Sequence, residues 1–403
     1  MHKKHIKKLG LLLKIDEILS KNKQNFNLLS KNFKELGISE KNIIFTYIEN
    51  KNIEEIKKVF YKIFDTHTIA AADSAKISEN YKEGKYGCDR EFLAYINLVK
   101  NNSAETLAKE AFEKLIKLKE TDPSYYDLLT IGSRFWYMGA NWLDGAEGEN
   151  NSLIINRMNT LTQNAERLEW LYENLADSLS RRSLNAIIKF WLTWDYSDWL
   201  KLSLYYCDVV DTQIFPFYDN EVFVDCGSYI GDTVLQYANT VNNKHKRIYT
   251  YDISSASIRE MNKNLENLSN VVIRHSGTGD KNTNMDMIGL NQPHGGNRLA
   301  TEEASPLAVE RVKVVRLDDD INEEVTFLKI DVEGMDKETL IGAKNIVEKY
   351  HPKLNVDAYH KLEDIVDVPW LIRQIDENYV LYLRLPMLLE YQPRFPFATF
   401  MAI

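Results

Sequence analysis

The pattern of apolar and polar positions along the chain changes at Glu221. Downstream, short apolar runs rich in β-branched and aromatic residues alternate with longer segments of helical spacing. The runs are EVFVDCG, RIYTYDI, NVVIRHSG, TFLKIDVEG, KLNVDAYH, YVLYLRL and FATFMAI. This alternation predicts a parallel, doubly wound sheet. Only LPMLLEYQPRFP separates the last two runs, which predicts a closing hairpin and therefore one antiparallel strand.

The first half of the chain has helical spacing instead. Residues 1–160 are predicted to form a mainly helical N-terminal region, with an amphipathic helix at its start and a Trp- and Tyr-rich stretch at 124–145. Residues 161–220 are predicted to form a helical lead-in of two helices, joined by the polar turn ADSLSRRS. One apolar stripe marks the second helix: Leu184, Ile187, Ile188, Trp191 and Leu192. Residues 221–403 are predicted to form the α/β domain.

Composition and charge narrow the class of protein. The formal charge of −9 argues against a nucleic-acid partner, because phosphate binding needs a basic field. The three cysteines form no CxxC pair, which disfavours a zinc site or disulfides and favours a reducing, cytoplasmic location. No apolar run reaches the length of a transmembrane helix. The N-terminal region could mediate homo-oligomerisation, and its aromatic residues could stack on sugars, although such residues more often form core.

VFVDCGSYIGDT, residues 222–233, carries the strongest chemical signal. An apolar strand runs into a tight turn containing Gly227 and Gly231, and the helix behind it offers N-terminal N–H groups to an anion. A dinucleotide fingerprint needs glycine at its middle position, where pyrophosphate meets the backbone. Tyr229 stands at that position. The turn therefore favours a cofactor without phosphates, S-adenosylmethionine, over NAD or FAD.

Two more segments fall where the rest of a nucleoside would bind. Asp252 ends the second run, 21 residues beyond the second glycine of the turn, the spacing at which an acid holds ribose hydroxyls. The alternative is a helix N-cap before SSASIREM, where Ser257 and Glu260 suit a capping box. In SGTGDK, after the third run, Gly279 and Asp280 are expected to face adenine, or else to form an ordinary polar turn.

FLKIDVEGMD, residues 327–336, places Lys329, Asp331 and Glu333 on one face of a strand. Burying charged side chains on a strand costs free energy unless they are paired or functional. These three lie toward the C-terminal end of the strand, where open α/β sheets bind ligands. Asp331 is therefore one candidate general base, and a structural Lys–carboxylate pair is the alternative. His360, which ends KLNVDAYH, is the second candidate, although a lone histidine is often structural.

No metal ligand is assigned from the sequence. The weaker alternative is oxygen ligation by Asp331, Asp357 and the acidic run 318–320, but such runs are usually solvated turns.

Residues 280–307 are polar and contain several glycines. Length and polarity predict a loop, either one that covers the substrate or a mobile surface insertion. His294 and Arg298 are its candidate substrate contacts.

At these motifs the sequence resembles the FkbM family of methyltransferases. VDCGSYIGDT, IYTYDIS, LKIDVEG and IGAKNIVEKYHPKL are similar to that family's successive blocks, and the resemblance covers about residues 165–403. It implies a Rossmann-like class I methyltransferase domain, in which a mostly parallel seven-stranded sheet has its last strand antiparallel. It also implies O-methylation of a sugar, glycan or related natural-product hydroxyl. The expected cofactor contacts are Asp225, Gly227, Ser228, Tyr229, Gly231, Asp252, Gly279 and Asp280.

The sequence departs from the family's usual pattern in two places. The second block reads Tyr251-Asp252-Ile253 where the family usually has Phe-Glu-Pro, so the acid has a shorter reach. The last run, FPFATFMAI, is more apolar than is usual. Two other functions stay open: an NAD-linked oxidoreductase, which Tyr229 disfavours, and a non-catalytic binding module, since a fold does not guarantee a function.

Overall fold

The computed structural model describes residues 80–123, 125–126, 152–203, 210–290, 292–293, 295–300, 305–386 and 398–403. These residues fall into two compact units, of which one holds 113–126 and the other holds the rest. The predicted helix at the start of the chain, most of the Trp- and Tyr-rich stretch and His294 lie outside the described residues. The domain boundaries after residues 160 and 220 stay predictions.

The described region before the sheet is helical, as predicted. A short 3-10 helix, Tyr81–Glu83, precedes the first α-helix. The α-helices of this region are α1 Gly87–Asn101, α2 Ala104–Thr121, α3 Ser152–Gln163, α4 Ala165–Asn174, α5 Ser178–Thr193 and α6 Ser197–Ser203. Those that follow are α7 Asp232–Thr240, α8 Ser255–Asn264, α9 Leu317–Asp320, α10 Asp336–Gly342, α11 Lys344–Tyr350 and α12 Asp364–Ile375.

All seven apolar runs form strands of one sheet. Its members are β1 Glu221–Cys226, β2 His245–Asp252, β3 Val271–His275, β8 Phe327–Ile330, β9 Lys353–Asp357, β10 Leu381–Arg384 and β11 Thr399–Ala402. Their order across the sheet is β10-β11-β9-β8-β1-β2-β3. Only β11 runs antiparallel to its neighbours, so the predicted closing hairpin is confirmed. The chain between β10 and β11 lies mostly outside the described residues.

A second sheet of four strands takes in part of the loop predicted over 280–307, since two of its strands lie there, so the prediction of a loop throughout is wrong. Its strands are β4 Gly277–Thr278, β5 Thr283–Ile288, β6 Arg298–Leu299 and β7 Ala308–Val315. Met287, Leu299, Val312 and Val314 form a small apolar core of their own. Alternation in RVKVV is the signal that could have predicted β7, because Val312 and Val314 are buried while Lys313 between them is exposed.

The helical lead-in differs in detail from its prediction. It has three described helices rather than two, and most of the predicted turn ADSLSRRS lies inside α5. The reason is that Asp177 caps α5 and accepts the Ser180 N–H at 2.7 Å, which lets the helix start early. The predicted apolar stripe is buried throughout. Asp177 also pairs with Arg384 of β10 at 2.7 Å, which ties the lead-in to the edge of the large sheet.

The main core lies between the large sheet and α7 and α8. Phe223, Phe327 and Tyr237 pack there, with Phe223 and Phe327 stacked at 4.8 Å between ring centroids. Met261 of α8 is buried in the same cluster. Within the described ranges, no helix combines the length and apolar character needed to span a bilayer.

Candidate active site

The candidate site lies where four parallel strands end side by side. In the order β2, β1, β8 and β9, the strands are hydrogen-bonded neighbours. Asp225 on β1 is in register with Lys329 on β8, and Lys329 with Asn355 on β9. The acids predicted to be functional therefore come from adjacent strand ends, the edge at which open α/β sheets bind ligands.

The turn after β1 can be formed only with glycine at its first position. Gly227 has φ +78°, and a Cβ on it would lie 1.7 Å from the carbonyl oxygen of Asp331 on the neighbouring strand. The N–H groups of Gly227 and Ser228 both donate to the carbonyl of Tyr251, at 2.9 and 3.0 Å. Gly231, with φ +84°, then begins α7 and offers no side chain to cap it. No side chain therefore caps the first turn of α7, and binding of an anion by its N–H groups stays a prediction.

Asp252 faces this turn across the end of β2. Its Oδ2 accepts the N–H of Tyr229 at 3.0 Å, and its Oδ1 accepts the N–H of Ser254 at 2.8 Å. Tyr229 itself has φ +49°, an uncommon conformation for a bulky residue. Burial raises the pKa of Asp252 to about 7, and the two backbone hydrogen bonds only partly oppose this.

The predicted capping box at Ser257 is wrong, and so is the alternative role of Asp252 as the N-cap of α8. The N-cap is Ser254, whose hydroxyl accepts the Ser257 N–H at 3.3 Å. The helix starts three residues earlier than the capping box implied, so Ser257 and Glu260 lie within it. Asp252 instead fixes the geometry of the chain between β2 and α8.

A buried charge network joins the glycine turn to β8. Lys329 donates to the Gly227 carbonyl at 3.0 Å and lies 3.2 Å from Asp225 Oδ1 and 3.6 Å from Asp331 Oδ2. Burial disfavours the ammonium, but Asp225 and Asp331 outweigh burial and raise the pKa of Lys329. Burial raises the pKa of Asp225, and Lys329 counteracts that shift. Asp225 is fully buried, so its direct contact is with Lys329, and its predicted contact with a cofactor stays a prediction.

The second network surrounds His360, which follows β9. Nδ1 of His360 lies 2.8 Å from Asp336 Oδ2. Nε2 lies 3.5 Å from Asp331 Oδ1 and 3.6 Å from Glu333 Oε2. The structure thus brings together both predicted catalytic residues, Asp331 and His360, with Glu333 beside them.

Asp336 is the member of this network that the sequence analysis did not single out. It is fully buried and accepts the N–H groups of Val332 and Gly334 at 3.0 and 3.1 Å. It therefore fixes the turn after β8, in which Glu333 has φ +55°, and orients the imidazole of His360. The signal in the sequence was an acid two residues beyond a glycine, which by itself is too common to indicate this role.

Two side chains of the cluster, His360 and Glu333, have raised pKa values. Burial alone would lower the pKa of His360, but Asp336, Glu333 and Asp331 outweigh it and raise that pKa well above its usual value. Burial raises the pKa of Glu333 to about 8, with Asp331 and Asp336 adding to the shift. Nδ1 of His360 lies within hydrogen-bonding distance of Asp336 and the ring is fully buried, whereas 29% of the Asp331 side chain is exposed, which makes Asp331 the more accessible proton acceptor of the two.

Gly279, Asp280 and Asp357 are three further residues considered from the sequence, and the structure shows the surroundings of each. Gly279 is buried, and its N–H donates to the Val315 carbonyl at 3.1 Å. Asp280 is exposed. The structure does not show either residue beside Asp252, and their contact with adenine stays a prediction. Asp357 accepts a hydrogen bond from the Thr399 hydroxyl.

The acidic run before β8 stabilises the fold. Asp318 accepts the N–H groups of Asn345 and Ile346 at the start of α11, at 3.1 and 3.0 Å. Asp319 accepts from the Asn282 amide at 2.7 Å. Asp320 accepts from Tyr251 at 2.7 Å and from Arg274 at 3.1 Å. The run is therefore committed to hydrogen bonds within the fold rather than to the metal set considered from sequence.

Arg298, one of the two residues predicted to contact substrate, lies on β6 of the small sheet. Its charge is close enough to Glu333 to oppose the rise in the pKa of that residue. The small sheet therefore places the Arg298 guanidinium near Glu333 of the Asp331–Glu333–His360 cluster. Arg298 itself lies on a strand rather than in the predicted loop.

Comparisons with known proteins agree with this geometry. Residues 225–381 match the family model of the methyltransferase FkbM domain. The crystal structure of methyltransferase FkbM from Methylobacillus flagellatus KT aligns with a TM-score of 0.50 and 21% identity, over 62% of this chain and 62% of that chain. The chain thus spans less than two thirds of that relative. Together with the strand order, these matches show a class I methyltransferase fold.

Other solved structures give weaker matches. An rRNA methylase from Streptococcus thermophilus aligns with a TM-score of 0.30 and 14% identity, over 46% of this chain and 86% of that chain. A Streptococcus mutans protein solved in complex with SAH aligns with a TM-score of 0.29 and 14% identity, over 46% and 89%. No curated protein matches the chain.

Proposed function

Residues 225–381 belong to the FkbM family of methyltransferases, and on that premise we propose that this protein is an S-adenosylmethionine-dependent O-methyltransferase. The observation that carries the proposal is the position of Asp252. The backbone N–H groups of Tyr229 and Ser254 donate to its two carboxylate oxygens and hold the carboxylate beside the glycine turn. The acceptor we propose is a hydroxyl of a sugar, glycan or related natural product, which rests on the family resemblance.

The residues present fit this cofactor. Each oxygen of Asp252 accepts one backbone hydrogen bond and retains capacity for another, as a ribose diol requires. The uncapped N-terminus of α7 suits the carboxylate of the cofactor's amino-acid part. When bound, S-adenosylmethionine supplies an electrophilic methyl group on a sulfonium.

Tyr229 separates this proposal from the NAD-linked alternative. Its backbone N–H is already used by Asp252, and a side chain occupies the position where a dinucleotide site needs glycine. A diphosphate would have to displace that side chain, whereas a cofactor without phosphates does not need the space.

The acceptor would bind beside the Asp331–Glu333–His360 cluster, which follows β8 and β9. Asp331 has 29% of its side chain exposed, so an acceptor hydroxyl can reach it, while His360 is fully buried behind it. In this proposal Asp331 takes the hydroxyl proton, and His360, whose Nε2 lies 3.5 Å from Asp331 Oδ1, helps to orient the carboxylate. A positioned base of this kind typically contributes about 10²- to 10⁴-fold to the rate. Arg298 on the small sheet would help to orient the acceptor.

The first test is calorimetry on the full chain with S-adenosylhomocysteine and, separately, with NAD⁺. We expect binding of the former only. Asp252→Asn should weaken S-adenosylhomocysteine binding about 10- to 100-fold, because hydrogen bonds to a charged acceptor are lost. Glu260→Gln, on the surface of the adjacent helix, is the matched control and should leave affinity unchanged.

The second test adds labelled S-adenosylmethionine and a glycan extract. Transfer of label that Asp331→Asn reduces at least 10²-fold supports the enzymatic function. Binding of S-adenosylhomocysteine with no transfer to any hydroxyl acceptor would instead favour the non-catalytic binding module. Tight NAD⁺ binding would overturn the cofactor assignment.

A further inference from the structure

A set of three side chains around one point follows β8 and β9. Asp331, Glu333 and His360 each offer one ligand atom, and these three atoms all lie within 4.8 Å of one another. Two carboxylate oxygens and one imidazole nitrogen are donors that divalent transition metals bind. The three residues come from two adjacent strand ends, so the fold and not a flexible loop sets their spacing.

The distances within the set are too long for hydrogen bonds but close to those between the ligands of one ion. Nε2 of His360 lies 3.5 Å from Asp331 Oδ1 and 3.6 Å from Glu333 Oε2. Ligands about 2.1 Å from a metal are separated by about 3.0 Å in octahedral and about 3.4 Å in tetrahedral geometry. A contraction of a few tenths of an ångström would therefore bring the two distances from His360 to those of metal ligands, and the whole set already lies within 4.8 Å.

The orientation of His360 is fixed in the way that metal-binding imidazoles usually are. Nδ1 faces the buried Asp336 at 2.8 Å, which directs Nε2 toward Asp331 and Glu333. Carboxylate–histidine pairs of this kind set the tautomer and ring position of metal ligands. Asp336 is itself held by two backbone N–H groups, from Val332 and Gly334, so the orientation is built into the turn.

Glu333 provides an independent indication that these side chains bind a cation. Its Oε2 is shielded from solvent, yet it accepts no hydrogen bond from the described part of the chain. Its backbone lies in the left-handed region, with φ +55°, a conformation that costs about 1 kcal/mol or more for a residue with a side chain. A buried carboxylate oxygen without a donor is costly unless something else satisfies it. Oε2 of Glu333 faces the imidazole of His360, on the side where an ion would bind.

We propose that Asp331, Glu333 and His360 bind one divalent first-row transition metal ion. The site adjoins the candidate cofactor cradle, because Asp331 is also 3.6 Å from Lys329, which donates to the Gly227 carbonyl. An ion there would coordinate the acceptor oxygen and make its hydroxyl more acidic. That role rests on the proposed methyl transfer, whereas the binding of the ion does not.

The experiment uses Mn²⁺ as the probe on the full chain, without cofactor. Loss of the electron paramagnetic resonance signal of free Mn²⁺ measures binding, and one tight site per chain is expected. Glu333→Gln, which removes a ligand charge but keeps the shape, should weaken binding about 10-fold or more. Glu338→Gln is the control, since that glutamate lies on α10, is 31% exposed and pairs with Lys361, and Mn²⁺ affinity should not change.

A second measurement does not depend on the fold of a variant. Electron spin-echo modulation of the wild-type Mn²⁺ complex should show coupling to one imidazole nitrogen, as ligation by His360 requires. Absence of tight Mn²⁺ binding, absence of the nitrogen coupling, or equal affinity in Glu333→Gln and the wild type would each overturn the site. Calorimetry with S-adenosylhomocysteine on the same samples separates the two proposals. Cofactor binding without Mn²⁺ binding refutes the metal site alone, and the reverse refutes the proposed function alone.

Discussion

The glycine turn provides a prediction whose magnitude follows directly from the structure. Replacing Gly227 by alanine introduces two costs. The backbone at φ +78° is left-handed, which costs an L residue about 1–2 kcal/mol. In addition, the new Cβ would lie 1.7 Å from the Asp331 carbonyl oxygen, an overlap that only a backbone shift between β1 and β8 can relieve. Overpacking of this kind typically costs about 1–3 kcal/mol.

Two other glycines separate these costs. Gly334 has φ +97°, but a Cβ there would have its nearest neighbour at 3.8 Å, so Gly334→Ala should cost only the backbone term of about 1–2 kcal/mol. Gly87 has neither problem, since a Cβ would meet nothing within 4 Å. Gly87→Ala should change stability by less than about 0.5 kcal/mol. Gly227→Ala should therefore lose about 2–5 kcal/mol in total.

Urea unfolding followed by tryptophan fluorescence measures the series. The expected order of destabilisation is Gly227→Ala, then Gly334→Ala, then Gly87→Ala. S-adenosylhomocysteine affinity should fall with Gly227→Ala, because the shift moves the turn away from Asp252. If Gly227→Ala is no less stable than Gly334→Ala, the close approach of β1 to β8 is not as described and the reasoning fails.

Three further predictions concern other parts of the molecule. The pKa of Asp252 is raised to about 7, so the carboxylate gains its charge as pH rises through neutrality, and S-adenosylhomocysteine should bind about tenfold more weakly at pH 6 than at pH 8. Calorimetry tests this, and Asp252→Asn should abolish the dependence; a pH-independent wild type would contradict it. Asp336→Asn removes the carboxylate that orients the His360 ring, so it should shift the pH profile of kcat while S-adenosylhomocysteine affinity stays constant. An unshifted pH profile argues against a positioning role for Asp336. Arg384→Met leaves Asp177 without its cation and should cost about 1–3 kcal/mol in thermal unfolding, with cofactor affinity unchanged; no loss of stability would show that the pair contributes little.

The large sheet could be predicted because buried strands appear in the sequence as short apolar runs. Each of the seven strands is a short apolar run, since strands covered on both faces cannot alternate freely with polar residues. The stripe on α5 was predictable for the same reason, as its apolar side is packed away from solvent. The site at the strand ends followed from the fold, because parallel strands present their carboxyl ends at one edge.

The small sheet was missed because three of its four strands are short or mostly polar, and only β7 has a recognisable alternation. β4 and β6 contain only two residues each, and β5 reads TNMDMI. Such strands are recognised by long-range pairing, here of β5 with β7, and not by local pattern. The start of α8 was misplaced for a related reason, since Ser254 and Ser257 are both good caps and the choice depends on where Asp252 holds the preceding chain.

The electrostatics of the site also depend on three-dimensional contacts. The sequence placed Asp331 and His360 on neighbouring strand ends, but it could not show that Asp336 folds back onto His360. That contact decides which ring nitrogen faces the cleft. It also helps to raise the pKa of His360 above its usual value.

The most direct test of the account is a crystal structure of the full chain with S-adenosylhomocysteine. The account predicts the ribose hydroxyls within about 3 Å of Asp252 and the amino-acid carboxylate at the first turn of α7. The sulfur should point toward Asp331. A nucleoside bound elsewhere, or one whose ribose is held by other side chains while Asp252 keeps only its backbone contacts, would contradict it.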